Sequence, residues 1–177
     1  MEPPETIETN RLILRLPRVE DAEAIFSAYA KDPEVTRYLL WSPHPSVKTT
    51  REFLRQCLLS WKQGTSLQWA VTRKEDKTLL GMVGCRPDGH KVELGYVLAR
   101  PEWNKGYGTE AVQAVVDWAL SQDDIYRVWA VCDVENKASA RVLEKVGMKL
   151  EGTLRRWSIH PNRSDQPRDS YCYAKTK

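Results

Sequence analysis

The clearest pattern of hydrophobic and polar positions is a strand followed by a helix in the middle of the chain. Residues 92–99 place their side chains alternately on two faces, as a β-strand does. One face carries only apolar or aromatic side chains, those of Val92, Leu94, Tyr96 and Leu98. Pro101 ends the strand, and from Val112 the apolar positions recur at i, i+3, i+4 and i+7, the spacing of an amphipathic helix. The sequence therefore predicts a strand, a glycine turn at residues 106–108, and a helix.

The same two periods predict the remaining elements. Further strands are expected at about residues 11–16, 67–73, 78–86, 127–132, 150–158 and 169–175. Further helices are expected at about residues 19–30, from Thr49 to Gly64 and from Asn136 to Gly147. Thr49 and Glu52 form a capping box for the second helix. Asn136 is the expected N-cap of the last helix, and Gly147 is its left-handed C-terminal residue.

Length and charge limit the class of protein. A chain of 177 residues fits one domain, taken as residues 1–177. No apolar run approaches the roughly 20 residues of a membrane span, and the acidic N-terminus lacks the apolar segment of a secretory signal. A cytoplasmic protein without a membrane partner is therefore expected. The net charge of +3 is too small for a nucleic-acid-binding protein, which carries a strong basic face.

Cysteines and arginines raise two narrower questions. The 4 cysteines are widely spaced and have no Cys-x-x-Cys or histidine pairing, so reduced thiols and no metal site are expected. A local cluster of arginines lies near the C-terminus, at Arg155, Arg156, Arg163 and Arg168. Two interpretations of this cluster stay open, a solvated loop face or a nucleic-acid contact, and the low net charge disfavours the second.

The glycine turn is the strongest indication of function. Gly106 and Gly108 precede the helix, where its unpaired N–H groups and the positive end of its dipole can bind an anion. The turn lacks the Gly-Lys-Ser/Thr ending of a P-loop and the third glycine of a dinucleotide fingerprint. It therefore indicates some other phosphate-containing ligand, and the alternative is a simple tight turn.

The order of the motifs resembles one protein family. The strand, the Gly-x-Gly turn, the helix, a further strand and then Asn136-x-x-Ser139 with Glu-Lys-x-Gly at Gly147 resemble the GNAT superfamily of acetyl-coenzyme A (acetyl-CoA) dependent N-acetyltransferases. The opening Thr9–Pro17 resembles its ribosomal-protein N-terminal (serine/alanine) acetyltransferase branch, and the resemblance covers residues 9–175. It implies an α+β fold (the α/β-type GNAT fold), with a central mixed, largely antiparallel twisted sheet of about seven strands flanked by about four helices.

The resemblance also implies a reaction. The acetyl group passes from acetyl-CoA to a primary amine by direct attack on the thioester, without a metal. The acceptor is a protein or peptide N-terminus, such as that of a ribosomal protein, or a small-molecule amine, and the enzyme is a monomer or homodimer. The alternative, from a different class, is a non-catalytic coenzyme A binding or sensing module.

The family pattern implies that backbone groups hold much of the cofactor. Val97 and Leu98 offer backbone groups to the pantetheine arm, and Asn136 and Ser139 contact it from the last helix. The pyrophosphate is held by N–H groups of the turn, those of Lys105, Gly106, Tyr107, Gly108 and Thr109. Trp103 replaces the Gln or Arg that many members have before the first glycine, which changes side-chain contacts but not the turn.

Acetyl transfer requires a neutral amine, a hydrogen-bond donor for the carbonyl oxygen as it becomes negative, and a proton for the departing thiolate. At about pH 7, deprotonation costs about 4 to 5 kcal/mol for a lysine amine but only about 1 for an α-amine. Glu93 is the candidate base, because the family often has a base acting through water on this strand; an ion-pair role is the alternative, and His160 is the next candidate base. The tyrosine that many members carry in the last helix is Leu143 here. Ser139 is therefore the candidate donor to the sulfur, or else an ordinary helix-start serine.

The acceptor site is expected on two segments rich in aromatic, basic and polar residues. They are the Trp41–His44 loop and residues 155–165, which the resemblance places beside the acetyl group. The candidate acceptor-binding residues are Trp41, His44, Trp157 and His160. The alternative is that Trp41 and Trp157 cover the edge of the core. The histidines each lie beside Pro or Gly in a loop, where solvent exposure is expected.

Overall fold

The computed structural model describes residues 2–177, which form a mixed eight-stranded sheet with the order β1-β2-β3-β4-β5-β6-β8-β7. The strands are β1 (Thr6–Glu8), β2 (Leu12–Arg15), β3 (Leu67–Arg73), β4 (Leu79–Asp88), β5 (Lys91–Leu98), β6 (Arg127–Asp133), β7 (Lys149–Ser158) and β8 (Arg168–Thr176). All neighbours are antiparallel except β5 and β6. The predicted α+β class and largely antiparallel sheet are confirmed. The additional strand is β1, which pairs with β2 but is too short to show a hydrophobic period.

The helices are α1 (Ala22–Ile25), which continues into a π-helical turn (Phe26–Ala30), α2 (Pro33–Thr36), α3 (Val47–Gln63), α4 (Tyr107–Ser121) and α5 (Lys137–Lys145). The predicted capping box at Thr49 is wrong, because α3 begins earlier and the Ser46 hydroxyl accepts a hydrogen bond from the Thr49 N–H at 3.4 Å. The end of α3 is as predicted, with Gly64 in the left-handed region at φ 69°. Within residues 2–177, no helix is long and apolar enough to cross a membrane.

Two apolar cores lie on opposite faces of the sheet. One contains side chains of α4 and α5 together with strand residues, among them Val112, Val115, Leu143, Leu12, Trp69 and Val83. The other contains side chains of α1, the π-helical turn and α3 with strand residues, among them Ile25, Tyr29, Leu54, Ala70 and Met82. The neighbours Trp69 and Ala70 belong to different cores because successive strand side chains point to opposite faces.

The parallel pair β5 and β6 opens along its length. Only Lys91–Glu93 of β5 pair with Arg127–Trp129 of β6, whereas β5 remains paired with β4 as far as Leu98. Strand β6 remains paired with β8 as far as Asp133. Beyond Glu93, backbone groups on the β6 side of β5 therefore lack a strand partner and can bind another molecule. This opening positions the candidate site.

Candidate functional site

A cavity of about 980 Å³ occupies the opening between β5 and β6. It is lined by the free part of β5, by the N-terminal turns of α4 and α5, and by the loops that follow α2 and β7. The predicted site residues that line it are Trp41, His44, Glu93, Val97, Leu98, Gly106, Gly108, Thr109, Asn136, Ser139 and His160. Lys105, Tyr107 and Trp157 do not line it. The fold therefore brings most of the predicted cofactor and acceptor residues to one connected space.

The glycine turn has the backbone geometry of an anion site. Gly106 has φ 83°, a left-handed conformation that favours glycine, and α4 begins at the next residue. A Cβ atom on Gly108 would lie 3.1 Å from Leu98 Cδ1, so a side chain there would press on the strand that lines the cavity. The first N–H groups of α4 have no helical partner and are available to a phosphate.

The side chains of the two remaining turn residues point to other partners. The Tyr107 ring has the Arg11 guanidinium 4.5 Å from its centroid and that of Arg73 at 5.7 Å. Lys105 Nζ lies 3.3 Å from Glu102 Oε2. Lys105 and Tyr107 can therefore contribute N–H groups of the backbone, while their side chains stabilise the turn from outside.

The side chain of Trp103, the residue that departs from the family pattern, forms a hydrogen bond with β5. Its indole N–H donates to the Leu98 carbonyl oxygen at 2.8 Å. That carbonyl is therefore already engaged by the protein. Because the Ala99 N–H donates to the Leu80 carbonyl, the backbone groups of Val97 face β4, whereas the Leu98 N–H faces the opening and stays available to a pantetheine arm.

Ser139 is held by two neighbours. Its N–H donates to Asn136 Oδ1 at 3.2 Å, which confirms Asn136 as the N-cap of α5. Its hydroxyl Oγ lies 2.7 Å from the Tyr96 hydroxyl, and the Ser139 carbonyl oxygen lies 3.1 Å from the same hydroxyl, so the one phenolic proton can be donated to either oxygen. Burial raises the pKa of Tyr96 well above its ordinary value, so the phenol stays protonated. Tyr96 and Ser139 both line the cavity as a hydroxyl pair.

Sequence reasoning did not identify Tyr96 as a functional residue. Its position on the apolar face of β5 indicated core packing, and its hydroxyl partner lies 43 positions further along the chain. A sequence signal existed, because a tyrosine among leucines on a half-buried face usually needs a partner for its hydroxyl. Leu143, at the position of the family's helix tyrosine, is fully buried in the core.

Glu93 lies where β5 and β6 separate. It is the last residue of β5 with a partner on β6, Trp129, and it lines the cavity. Its Oε2 lies 3.4 Å from Arg86 Nη1, a long contact with a guanidinium that is mostly exposed. Glu93 thus forms the ion pair that was the alternative prediction, it also lies at the opening, and its role as a base stays a prediction.

The predicted acceptor residues do not all share one environment. The rings of Trp41 and His44 pack with their centroids 5.1 Å apart and their planes tilted by 42°, and His44 Nδ1 lies 2.8 Å from Thr50 Oγ1. Burial lowers the pKa of His44. Trp157 is 52% exposed and lies outside the cavity, so its predicted place in the acceptor pocket is not supported by the geometry.

His160 is buried, contrary to the expectation of solvent exposure. Only 4% of its surface is exposed, because the loop after β7 folds back over the end of β6. There its Nε2 lies 3.8 Å from Asp133 Oδ2. The burial of His160 depends on how this loop folds. The neighbouring Pro161 indicates that a loop is present but not which side chains it buries.

Asn162 joins the two predicted acceptor segments. Its side-chain amide donates to the Thr36 carbonyl at 2.7 Å and to the Trp41 carbonyl at 2.8 Å. The Arg163 guanidinium, in the loop after β7, lies 5.3 Å from the ring centroid of Tyr38, in the loop after α2. The loop after α2 and the loop after β7 are therefore held together at the cavity. Sequence reasoning did not single out Asn162, because its partners lie more than a hundred residues away.

The arginine cluster is largely neutralised by ion pairs. Arg168 bonds both oxygens of the Asp133 carboxylate and also contacts Glu135, and Arg163 pairs with Glu135. Burial alone would raise the pKa of Asp133, but the hydrogen bonds from Arg168 and the Glu135 N–H lower it below its usual value. Arg163 and Arg168 therefore hold loops in place, whereas Arg155 and Arg156 are exposed.

The remaining candidate chemistry concerns thiols and metals. Cys57, Cys85 and Cys132 are buried free thiols, and Cys172 is half-buried. Burial raises the pKa of Cys132, which lines the cavity, to about 11, so its thiol is mostly protonated near neutral pH. In the part of the chain from residue 2 to 177, no group of His, Cys, Asp and Glu side chains has a metal-binding arrangement.

Comparison with known proteins identifies relatives of this chain. The family model described as acetyltransferase (GNAT) domain matches residues 11–149. A Bacillus subtilis (strain 168) protein named uncharacterized N-acetyltransferase YoaA is 31% identical over 174 residues, which are 97% of this chain and 96% of that protein.

Two solved structures share the fold. Microcin C7 self immunity acetyltransferase MccE, in complex with acetyl-CoA and AMP, has a TM-score of 0.89 at 21% identity, covering 99% of this chain and 98% of the other. RimL, a ribosomal L7/L12 alpha-N-protein acetyltransferase in complex with coenzyme A, has a TM-score of 0.86 at 21% identity, covering 97% of this chain and 98% of the other. At this identity the likeness shows the fold alone.

Proposed function

We propose an acceptor and a set of residue roles for this chain, which belongs to the acetyltransferase (GNAT) family and is an acetyl-CoA dependent N-acetyltransferase. The acceptor is the primary amine of a peptide N-terminus or of a small molecule. The enzyme acts in the cytoplasm as a monomer or homodimer of a single domain, residues 1–177, without nucleic-acid or membrane partners. The observation that carries the proposal is the opening of β5 from β6, where one cavity joins the glycine turn, Glu93 and the acceptor loops.

The cofactor lies along the free edge of β5 in this proposal. Its pyrophosphate accepts hydrogen bonds from backbone N–H groups of the turn, from Lys105 to Thr109. The pantetheine arm bonds Asn136 and the Leu98 N–H and packs along Val97, while the Leu98 carbonyl is occupied by Trp103. The thioester then reaches the part of the cavity between Glu93 and Ser139, which line it from opposite elements.

The transfer itself needs one new bond and one broken bond. The neutral amine nitrogen attacks the thioester carbonyl carbon, the C–S bond breaks, and coenzyme A leaves as a thiolate. Glu93 takes a proton from the amine, directly or through one water. Tyr96 donates its O–H to Ser139 Oγ, 2.7 Å away, which leaves the serine proton free to be donated to the departing sulfur. Tyr96 is a positioning residue in this scheme, because it acts through Ser139.

The chemistry of the amine favours an α-amine as acceptor. An α-amine costs about 1 kcal/mol to deprotonate near pH 7, against about 4 to 5 for a lysine amine. A carboxylate is a weaker base than an amine, so an acceptor that is nearly neutral already suits this scheme. The structural neighbour named as an alpha-N-protein acetyltransferase also supports testing peptide N-termini first. Trp41, His44 and His160 contact the acceptor, whereas Trp157 stays at the surface.

The test is an assay of free thiol release by the purified protein with acetyl-CoA and a panel of amines. The panel contains short peptides with free N-termini, the same peptides with blocked N-termini and a lysine side chain, and simple alkylamines. Mass spectrometry of the products identifies the acetylated nitrogen. We expect thiol release that depends on a free α-amine. Tight coenzyme A binding with no amine-dependent release would instead favour the non-catalytic binding or sensing module.

A further inference from the structure

Two buried polar side chains beside the end of β6 have no hydrogen-bond partner. Neither ring nitrogen of His160 nor the hydroxyl oxygen of Ser170 is bonded within residues 2–177. The residues are 4% and 1% exposed, and both line the cavity. A buried polar group without a partner costs about 1 to 3 kcal/mol, so folded proteins keep few of them, and those that remain usually bind water or a ligand.

Asp133 lies beside both His160 and Ser170. Ser170 on β8 is the direct neighbour of Asp133 on β6, and His160 Nε2 lies 3.8 Å from the Asp133 carboxylate. The carboxylate is itself engaged by the Arg168 guanidinium and accepts a hydrogen bond from the Glu135 N–H at 2.9 Å. Ser170 is thus carried by a strand, and His160, which lies in the loop after β7, is next to a carboxylate that an ion pair holds in place.

The arrangement selects an uncharged ligand group. A histidine Nε2–H directed at the carboxylate is the favoured tautomer, which leaves Nδ1 as a hydrogen-bond acceptor. The Ser170 hydroxyl can donate or accept. A second carboxylate would meet the ionised Asp133, and Nε and Nη2 of Arg168 are already engaged by Asp133 and Glu135. A purely apolar group would leave His160 and Ser170 unpaired.

We propose that His160 and Ser170 form an acceptor subsite for an uncharged group that both donates and accepts hydrogen bonds, an amide or a hydroxyl, carried close to the reacting amine. The inference rests on the proposed acetyl transfer and specifies its substrate class. Free α-amino acids and simple alkylamines are poor acceptors under this assignment. An α-amino amide or an amino alcohol is a good one.

The experiment compares four small acceptors that share one carbon skeleton at the amine: alaninamide, alaninol, alanine and isopropylamine. Values of kcat/KM are measured for the parent protein, Ser170→Ala and His160→Gln. His90→Gln, which changes an exposed histidine, is the matched control. The measured quantity is the ratio of kcat/KM for alaninamide or alaninol to that for isopropylamine. Because each ratio is compared between variants at one pH, differences in amine pKa cancel.

We expect this ratio to fall about three- to tenfold in Ser170→Ala and in His160→Gln, since each variant removes or weakens one neutral hydrogen bond. Loss with alaninamide alone identifies the amide as the recognised group, and loss with alaninol alone identifies the hydroxyl. The cofactor Kd and Tm of each variant show whether it is folded. Ser170→Ala, which removes a single oxygen, decides the matter if His160→Gln is unstable.

Unchanged ratios in a folded Ser170→Ala variant would overturn the subsite and assign these groups to a trapped water. Alanine accepted better than alaninamide by the parent protein would overturn it as well. Failure of the proposed function is distinct from both outcomes, because the parent protein would then release no thiol with any amine.

Discussion

The hydroxyl pair formed by Tyr96 and Ser139 leads to the most specific prediction about catalysis. Tyr96→Phe removes one oxygen atom and leaves the buried ring in place. That oxygen lies 2.7 Å from Ser139 Oγ and 3.1 Å from the Ser139 carbonyl oxygen. We expect Tyr96→Phe to slow acetyl transfer while the affinity for acetyl-CoA stays the same, because the phenol acts only by orienting Ser139.

The expected loss of kcat can be worked out from the strength of one hydrogen bond and from the number of rotamers of one hydroxyl group. A hydrogen bond to a charged group is worth about 1.5 to 3 kcal/mol, so Ser139→Ala should lower kcat by about 10- to 10²-fold if the hydroxyl donates to the leaving thiolate. Without the phenol, the Ser139 hydroxyl distributes over about three staggered rotamers, of which one is productive. Tyr96→Phe should therefore lower kcat about threefold. The double variant should be no slower than Ser139→Ala alone.

The decisive measurement is the pKa of the enzyme-bound coenzyme A thiol. A donor to the thiolate lowers that pKa, whereas a residue that only packs does not. Titration of the thiolate ultraviolet absorbance in the product complex should show the thiol pKa rising by about one to two units in Ser139→Ala and by about half a unit in Tyr96→Phe. Tyr126→Phe changes an exposed tyrosine and is the control, for which kcat and the thiol pKa should match the parent protein.

Two results would refute this reasoning. An unchanged thiol pKa in Tyr96→Phe would mean that Tyr96 does not orient the serine. A double variant whose loss of kcat equals the product of the two single losses would mean that Tyr96 acts independently of Ser139.

Three further changes test other parts of the site. Gly108→Glu places a side chain and a negative charge at the glycine turn and should abolish acetyl-CoA binding in titration calorimetry; binding as tight as the parent's would contradict the pyrophosphate position. Glu93→Gln should lower kcat by about 10² or more with unchanged cofactor Kd, unlike the exposed control Glu52→Gln, and an unaltered pH–rate profile would move the base elsewhere, with His160 next. Asn162→Ala breaks two hydrogen bonds between loops and should raise the acceptor KM about three- to tenfold. A lower Tm with an unchanged KM would reduce Asn162 to a structural role.

Patterns within a few residues were sufficient to predict most of the elements. The strand period of residues 92–99 and the helical period after the turn correspond to β5 and α4. Gly106 and Gly147 both have positive φ, at 83° and 80°, as their places beside helix ends required. Asn136 caps α5 through its side chain. These features depend on backbone sterics and local hydrogen bonds, which involve residues that are close in sequence.

The family, the fold and the use of acetyl-CoA were also predictable, because the motifs that carry the resemblance are short and local. The roles of Glu93, Ser139 and the turn residues stay predictions. Elements of only three or four residues, β1 and α2, were missed because they are shorter than one reliable hydrophobic period.

The tertiary structure alone decided how the functional side chains meet. It placed Tyr96 against Ser139, buried His160 beside Asp133 and left Trp157 outside the cavity. It also joined the acceptor loops through Asn162. Each of these outcomes depends on where two distant parts of the chain pack, and on how far β5 and β6 separate. Local sequence patterns constrain the backbone of an element, but the distance between two elements follows from the packing of the whole core.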